Sequence, residues 1–262
     1  VATFAPYISQ QDEMMINQLT KVKDFYSNLN KGKDEMLFIS NHKLSSEQLD
    51  DIRKINFNKN GDSNVSLDFN PSFSKVALPL NTQVNFSALS LDAPIYDAKE
   101  SPKYVILSSL LRNEFLHKKV REQGGAYGGG ASYDSEAATF RFYSYRDPRL
   151  SGTFHDFNKS IDWFLSDTNS RRLEESILGA IRTIDAPLSP AGTAEKSFNS
   201  DLFGYSSEIK RKFREGVMDV TKGSLLAVCE KYLLCRESSL GVLASSGNQS
   251  VLERDGFLVG RL

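Results

Sequence analysis

Arg121 and Tyr127 stand six positions apart, and Gly124, Gly125, Gly128, Gly129 and Gly130 lie between and just after them. Arginine and tyrosine side chains are both hydrogen-bond donors, one permanently cationic and one a neutral phenol. Donors of this kind, held beside a peptide bond, can grip a carbonyl oxygen or the oxyanion it becomes during acyl transfer. A helix needs only one left-handed residue to stop, so the glycine run exceeds what a C-cap requires. Two readings follow. In the first, the missing Cβ atoms at Gly124, Gly125, Gly128 and Gly129 let an extended peptide lie close to the backbone, with Arg121 and Tyr127 facing it. In the second, the segment is a helix stop and turn, where Arg121 serves the helix dipole and Tyr127 makes a packing contact.

Other chemistries lack their residues. The three histidines, His42, His117 and His155, are 75 and 38 positions apart, so no H-x-x-E-H or related pair is present to bind a catalytic zinc. Glu114 and His117 share a helix face, but with one histidine a solvated face accounts for them better than a ligand set. No metal and no other cofactor is expected in this chain. There is no G-x-S-x-G nucleophile elbow. The glycine run lacks the Lys-Ser/Thr of a phosphate loop, and it follows a helix and leads into a strand, the reverse of a dinucleotide fingerprint. A formal net charge of −1 gives no global attraction to nucleic acid or anionic lipid. The basic clusters at 117–119 and 210–212 read as solvated helix faces. No apolar run is long enough to span a bilayer, so no membrane partner is expected. Cys229 and Cys235 make no disulfide framework and read as packed, reduced thiols of a reducing compartment.

Periodicity outlines the elements that must hold Arg121 and Tyr127. Met14, Met15, Leu19, Val22, Phe25 and Leu29 predict a helix over 11–30, and Met36–Ser40 a short buried strand. Ser45 opens a second helix, and the polar stretch 56–74 reads as a loop. Val76–Leu91 reads as one or two strands around Pro79. Ser101-Pro102 starts a long helix that Gly124-Gly125 ends. Ala138–Tyr145 alternates as a strand and turns at Asp147-Pro148. Helices are predicted around Phe154–Phe164, Leu173–Ile184 and Ser224–Leu234, and a last strand at Leu240–Ala244. The mixture defines an α+β fold class.

The blocks REQGGAYG (Arg121–Gly128) and FYSYRDP (Phe142–Pro148), with ILGAIRTID (Ile177–Asp185) and Leu78–Val84, resemble the pitrilysin/insulinase-type zinc metallopeptidases, in the presequence protease and falcilysin branch. The resemblance spans about residues 36–235. It implies a C-terminal, non-metal-binding peptidase domain over 31–262, with 1–30 as the tail of a preceding domain, and a mainly antiparallel sheet backed by helices. It implies that Arg121 and Tyr127 hold the substrate backbone and stabilise the scissile carbonyl. It also implies that the zinc and its catalytic glutamate belong to an N-terminal half, the partner of this chain. The substrates would be unstructured, extended peptides. The chain, opening on Val1, is then expected to be a piece of a longer protein and inactive alone. The alternative is a non-catalytic homologue that binds peptides or acts as a scaffold.

Overall fold

The structure, a computed structural model, describes residues 19–21, 23–24, 35–55, 74–166, 171–234 and 237–260. In chain order its elements are α1 (Ser46–Lys54), β1 (Lys75–Leu80), β2 (Asn85–Asp92), α2 (Ser101–Leu110), a π-helical continuation π1 (Leu111–Gln123), β3 (Gly128–Asp134), β4 (Thr139–Asp147), α3 (Ser151–Ser166), α4 (Arg171–Ile184), α5 (Pro190–Leu202), α6 (Ser207–Met218), α7 (Lys222–Tyr232), β5 (Ser239–Ser245), α8 (Gln249–Arg254) and β6 (Leu258–Val259). These residues fall into two units, one from 1–71 and 187–206, the other from 72–186 and 207–262.

In the first unit, α1 starts where the sequence predicts. The Ser45 hydroxyl accepts the Gln48 amide at 3.2 Å and the Gln48 side chain accepts the Ser45 amide at 3.0 Å, a reciprocal cap. The expected strand at Met36–Ser40 does not form. The segment is irregular and its apolar side chains are exposed, Phe38 at 53%. An apolar run becomes a strand only by pairing with a neighbour, and no described strand runs beside it. The expected helix over 11–30 and the loop over 56–74 lie largely outside the described residues.

The second unit is built on a six-stranded sheet in the order β3-β4-β2-β5-β1-β6. β3 pairs with β4, β4 with β2 and β2 with β5 antiparallel, while β1 runs parallel to both β5 and β6. The sheet is therefore mainly antiparallel, and the fold is α+β as its sequence predicts. Pro79 sits inside β1 without breaking it. Among the described residues β6 pairs only with Val76 and Ala77, so at Pro79 that side of the strand has no described ladder partner to lose.

One face of the sheet carries the core. Leu89, Leu91, Phe140 and Phe142 pack on Ile106, Leu107, Leu111, Phe157, Phe164, Leu225 and Val228 from the helices. Phe142 lies between Phe140 and Phe157, at centroid distances of 5.4 and 5.6 Å. Burying such rings contributes about 1.5–3 kcal/mol each. On the opposite face the side chains of Val76, Tyr143, Tyr145 and Leu243 are exposed. β4 forms where the alternation of Ala138–Tyr145 predicts, whereas β3 and the helices α5, α6 and α8 lie beyond what the apolar periodicity outlined, because their short apolar stripes are interrupted by Ser, Gly and charge.

The long helix departs from expectation in its winding. Its second half, 13 residues from Leu111, is π-helical. The first step between buried positions is then five residues, Leu111 to Leu116, while Phe115 is only half-buried; the next, to Val120, is four. Pro102 enters at the first turn as predicted, but Ser101 is the first helical residue and not the cap. Its hydroxyl instead bonds the Tyr133 hydroxyl at 2.7 Å.

Cys229 lies on α7, fully buried among apolar neighbours, and burial pushes its thiol up to about 12, with Glu230 adding to the shift. The reactive thiolate is therefore nearly absent at neutral pH. Iodoacetamide at pH 8 is expected to leave Cys229 unlabelled in the native chain and to label it in denaturant, as read by peptide mass spectrometry. Native labelling at the denatured rate would contradict the buried placement. Cys235 is outside the described residues.

Candidate functional site

The π winding decides how the long helix ends. The Gly125 amide donates to the Arg121 carbonyl at 3.0 Å and the Ala126 amide to the Val120 carbonyl at 3.2 Å. Both bonds reach one residue further than in the usual glycine stop, as a wider helix requires. Gly125 has φ 80°, the left-handed value that makes glycine the favoured residue there. The chain then runs directly into β3, at the edge of the sheet.

The glycines have separate reasons. A Cβ on Gly124 would collide with the Arg149 guanidinium and, at 2.5 Å, with the Val120 carbonyl oxygen. One on Gly129 would come within 2.6 Å of Val120 Cγ1, and one on Gly130 within 2.6 Å of Arg112 Cγ. These three let π1 and the Asp147–Arg149 corner close on β3. Only Gly128 has nothing within 4 Å of its missing Cβ. Of the four glycines expected to admit a peptide, Gly124 and Gly129 are thus explained by internal packing and Gly125 by its backbone, and Gly128 alone faces open space.

Arg121 is exposed, and its Nη1 lies 3.0 Å from Nε2 of His117, one turn back. His117 Nδ1 is in turn 3.4 Å from Glu122. Tyr127 is 70% exposed. Its ring stands edge-on to Tyr145 at 5.8 Å, and Tyr145 stands edge-on to Phe86 at 5.2 Å. Tyr127 and Tyr145 thereby belong to the uncovered face of the sheet. Beside them lies an apolar depression of about 380 Å³ lined by Val76, Leu78, Phe86, Ala88, Tyr143 and Leu243. Strand alternation produces this face: the residues of β2 and β4 that do not enter the core include Phe86, Ala88, Tyr143 and Tyr145. These aromatic positions and the face they build escaped the sequence reading; the alternating aromatics of FRFYSY were the signal available.

The SYRDP corner is the foundation of the turn. Asp147 is fully buried. Its carboxylate accepts the Thr153 hydroxyl at 2.6 Å and the Arg149 amide at 2.9 Å, and lies 3.6 Å from Arg149 Nε. Arg149 Nη1 also donates to Asp156 at 2.9 Å. The Asn85 side-chain amide donates to the Asp147 carbonyl at 3.2 Å and the Arg149 carbonyl at 3.1 Å. The Arg149 guanidinium so fixed is the group that Gly124 packs against.

The far end of the hairpin is held by Asp134. One carboxylate oxygen accepts the Ala137 and Glu136 amides at 2.9 and 3.1 Å, and the other accepts Arg141 at 2.7 Å. The Ala137 amide above all, helped by the Arg141 charge and the Glu136 amide, holds this carboxyl below its ordinary value although burial opposes them. A lowered folded value stabilises the fold above the unfolded value of about 3.9 and is lost as pH falls through the folded one. Asp134→Ala is expected to cost about 1 kcal/mol at pH 7. Urea melts should show that difference shrinking as pH falls below about 4; a pH-independent difference would contradict the assignment.

Among the described residues no three His, Cys, Asp or Glu side chains gather into a group that could hold a metal ion. His117 is engaged by Arg121 and Glu122, and His155 is exposed on α3, so the described residues do not fit a zinc site. No described helix is long and apolar enough to cross a membrane. The cations of the 210–212 cluster are surface partners of their own helix, with Arg211 bridging Glu208 at 2.7 Å and Glu215 at 2.6 Å.

Comparison with known proteins places this arrangement. Residues 75–232 match the family model described as PreP C-terminal domain. The chain is 36% identical over 165 residues to the mitochondrial presequence protease of Gibberella zeae, covering 63% of this chain and 16% of that protein. It is 32% identical over 188 residues to the mitochondrial presequence protease of Mus musculus, covering 71% of this chain and 18% of that protein. It therefore spans about one sixth of the length of these relatives. A protease from Helicobacter pylori shares the fold, with a TM-score of 0.59 at 11% identity over 77% of this chain and 53% of that one. The matched span runs from β1 to the end of α7 and contains the helix stop, the hairpin and the buried corner, so the chain belongs to the PreP C-terminal domain family.

Proposed function

We propose that this chain is the C-terminal part of a zinc-dependent endopeptidase that degrades unstructured peptides, and that Arg121 and Tyr127 act on the substrate. The observation that carries the reading is Tyr127. Its phenol is exposed at the end of an aromatic strip, its ring is fixed by Tyr145, and its hydroxyl bonds to no described group. A phenol so held can donate to a peptide carbonyl and more strongly to the oxyanion that forms from it. The Arg121 guanidinium, steered by His117, supplies a second, cationic donor on the same turn. Gly128 leaves room for an extended backbone to approach.

The names of the relatives support the substrate class, and the fraction of their length that this chain covers supports a partner half. The zinc, which the described residues of this chain do not fit, would belong to that half and would there polarise the scissile carbonyl. What this chain contributes is the hold on the peptide and the stabilisation of its developing negative charge. The test is turnover of an unstructured peptide by the intact protein carrying Arg121→Ala or Tyr127→Phe, with zinc content measured in parallel. Full turnover in both variants removes the reading. Peptide binding without turnover in the unaltered protein would favour the non-catalytic homologue.

A further inference from the structure

Arg146 stands in a backbone conformation that does not suit it. Its φ is 50°, left-handed, where glycine sits at no steric cost. The cause is a bulge. β4 pairs with β2 in steady register from Thr139 to Ser144, then slips, so that Tyr145 and Arg146 together oppose Phe86 before Asp147 pairs with Asn85. The slip has a consequence for facing. Ser144 and Asp147 are buried towards the helices, and Tyr145 points to the uncovered face. The bulge breaks the alternation, and both residues it carries, Tyr145 and Arg146, are exposed between the buried Ser144 and Asp147.

The bulge also ties Arg146 to the candidate site. Its carbonyl accepts the Tyr127 amide at 3.4 Å, one step beyond the Gly128–Tyr145 pair. Tyr127 and Arg146 thus flank Tyr145. Arg146 is exposed, and its guanidinium makes no hydrogen bond or ion pair with any described residue. Among the described residues the side chain thus forms no polar bond that would repay the left-handed backbone it stands on. Strain of this kind gathers where a side chain is being aimed at something outside the fold.

We propose that Arg146 is a third substrate-contacting donor, which binds backbone carbonyls of an extended peptide laid across Tyr127 and the aromatic strip. The inference rests on the peptidase reading of that surface and adds a residue to it. A guanidinium offers several N–H donors in a plane and suits a strand whose carbonyls point sideways. Contact to the backbone makes the interaction independent of peptide sequence, in keeping with an enzyme that clears unstructured chains.

The test uses the intact protein and two quenched fluorescent unstructured peptides, one acidic and one basic. Arg146→Ala is expected to raise KM roughly 10-fold for both peptides while kcat stays within about two-fold, the signature of lost uniform binding. Arg146→Lys should recover part of the loss. Arg146→Gly should share the KM defect yet raise Tm by about 2–4 °C, because glycine relieves the left-handed backbone. Unchanged KM in the Ala and Gly variants overturns the proposal. So does a defect confined to the acidic peptide, which would mean that a side-chain carboxylate is being read, and so does a defect that only tracks lost stability. Tyr127→Phe, measured alongside, separates the two claims. If it lowers kcat while Arg146→Ala changes nothing, only the Arg146 assignment fails; if Tyr127→Phe is silent, the peptidase role of the surface fails.

Discussion

In the intact protein, Tyr127→Phe is expected to lower kcat by about 10²–10³, the usual effect of deleting one oxyanion donor. KM should change little, because a bond that strengthens only as the oxyanion forms is absent from the ground state. The substitution removes one oxygen and keeps the ring, so the edge-on contact with Tyr145 survives. The side chain is 70% exposed, and Tm should be unaltered. Arg121→Ala is expected to act in the same direction. Its only described side-chain partner is His117, on the surface, so little stability is at stake. Zinc content should match the unaltered protein in both variants. Steady-state kinetics with metal analysis decides the matter, and a pure KM effect for Tyr127→Phe would reassign the phenol to ground-state binding.

Asp147→Ala should have the largest effect on stability, a loss of about 3–5 kcal/mol, the cost of stripping one partner from a buried ion pair. The carboxylate is fully buried and serves Thr153, the Arg149 amide and the Arg149 guanidinium together. Nε and Nη2 of that guanidinium are buried without a hydrogen-bond partner even with Asp147 present, so removing the carboxylate takes away the charge 3.6 Å away that offsets their burial. That guanidinium abuts Gly124, so the helix stop before Tyr127 loosens with it. For a unit of this size the loss corresponds to roughly 10 °C or more in Tm. Asp156→Ala removes one hydrogen bond from the half-exposed end of Arg149 and should cost about 1–2 kcal/mol. Thermal melts of both variants rank them, and equal small losses would show that the corner is not what braces the turn.

The position of Arg121 and Tyr127 around a glycine stop was readable from residue types alone, because a helix ends where glycine can turn left-handed. The long helix, the first strands and the amphipathic helices were readable for the same reason: their signals repeat along the chain and act over a few residues. The strand at Met36–Ser40 failed because a strand is a pairing, and a pairing depends on a partner remote in sequence. The π winding failed because it responds to packing: the buried position after Leu111 is Leu116, five residues on, where four-step reading expects Phe115.

The glycine run shows where residue type stops being informative. Read in one dimension, Gly124, Gly125, Gly128 and Gly129 were equal openings for a peptide. Folded, Gly124 yields to Arg149, Gly125 to its own φ, and Gly129 to Val120, and only Gly128 is open. Close approach is a relation between two segments, and its other half lay 25 residues downstream for Gly124, in Arg149. The sequence by itself determined the helix stop and the family. The tertiary structure alone decided which face Tyr127 joins, what braces the turn beneath it, and that a bulge sets Arg146 beside it, because register and burial are properties of strands brought together.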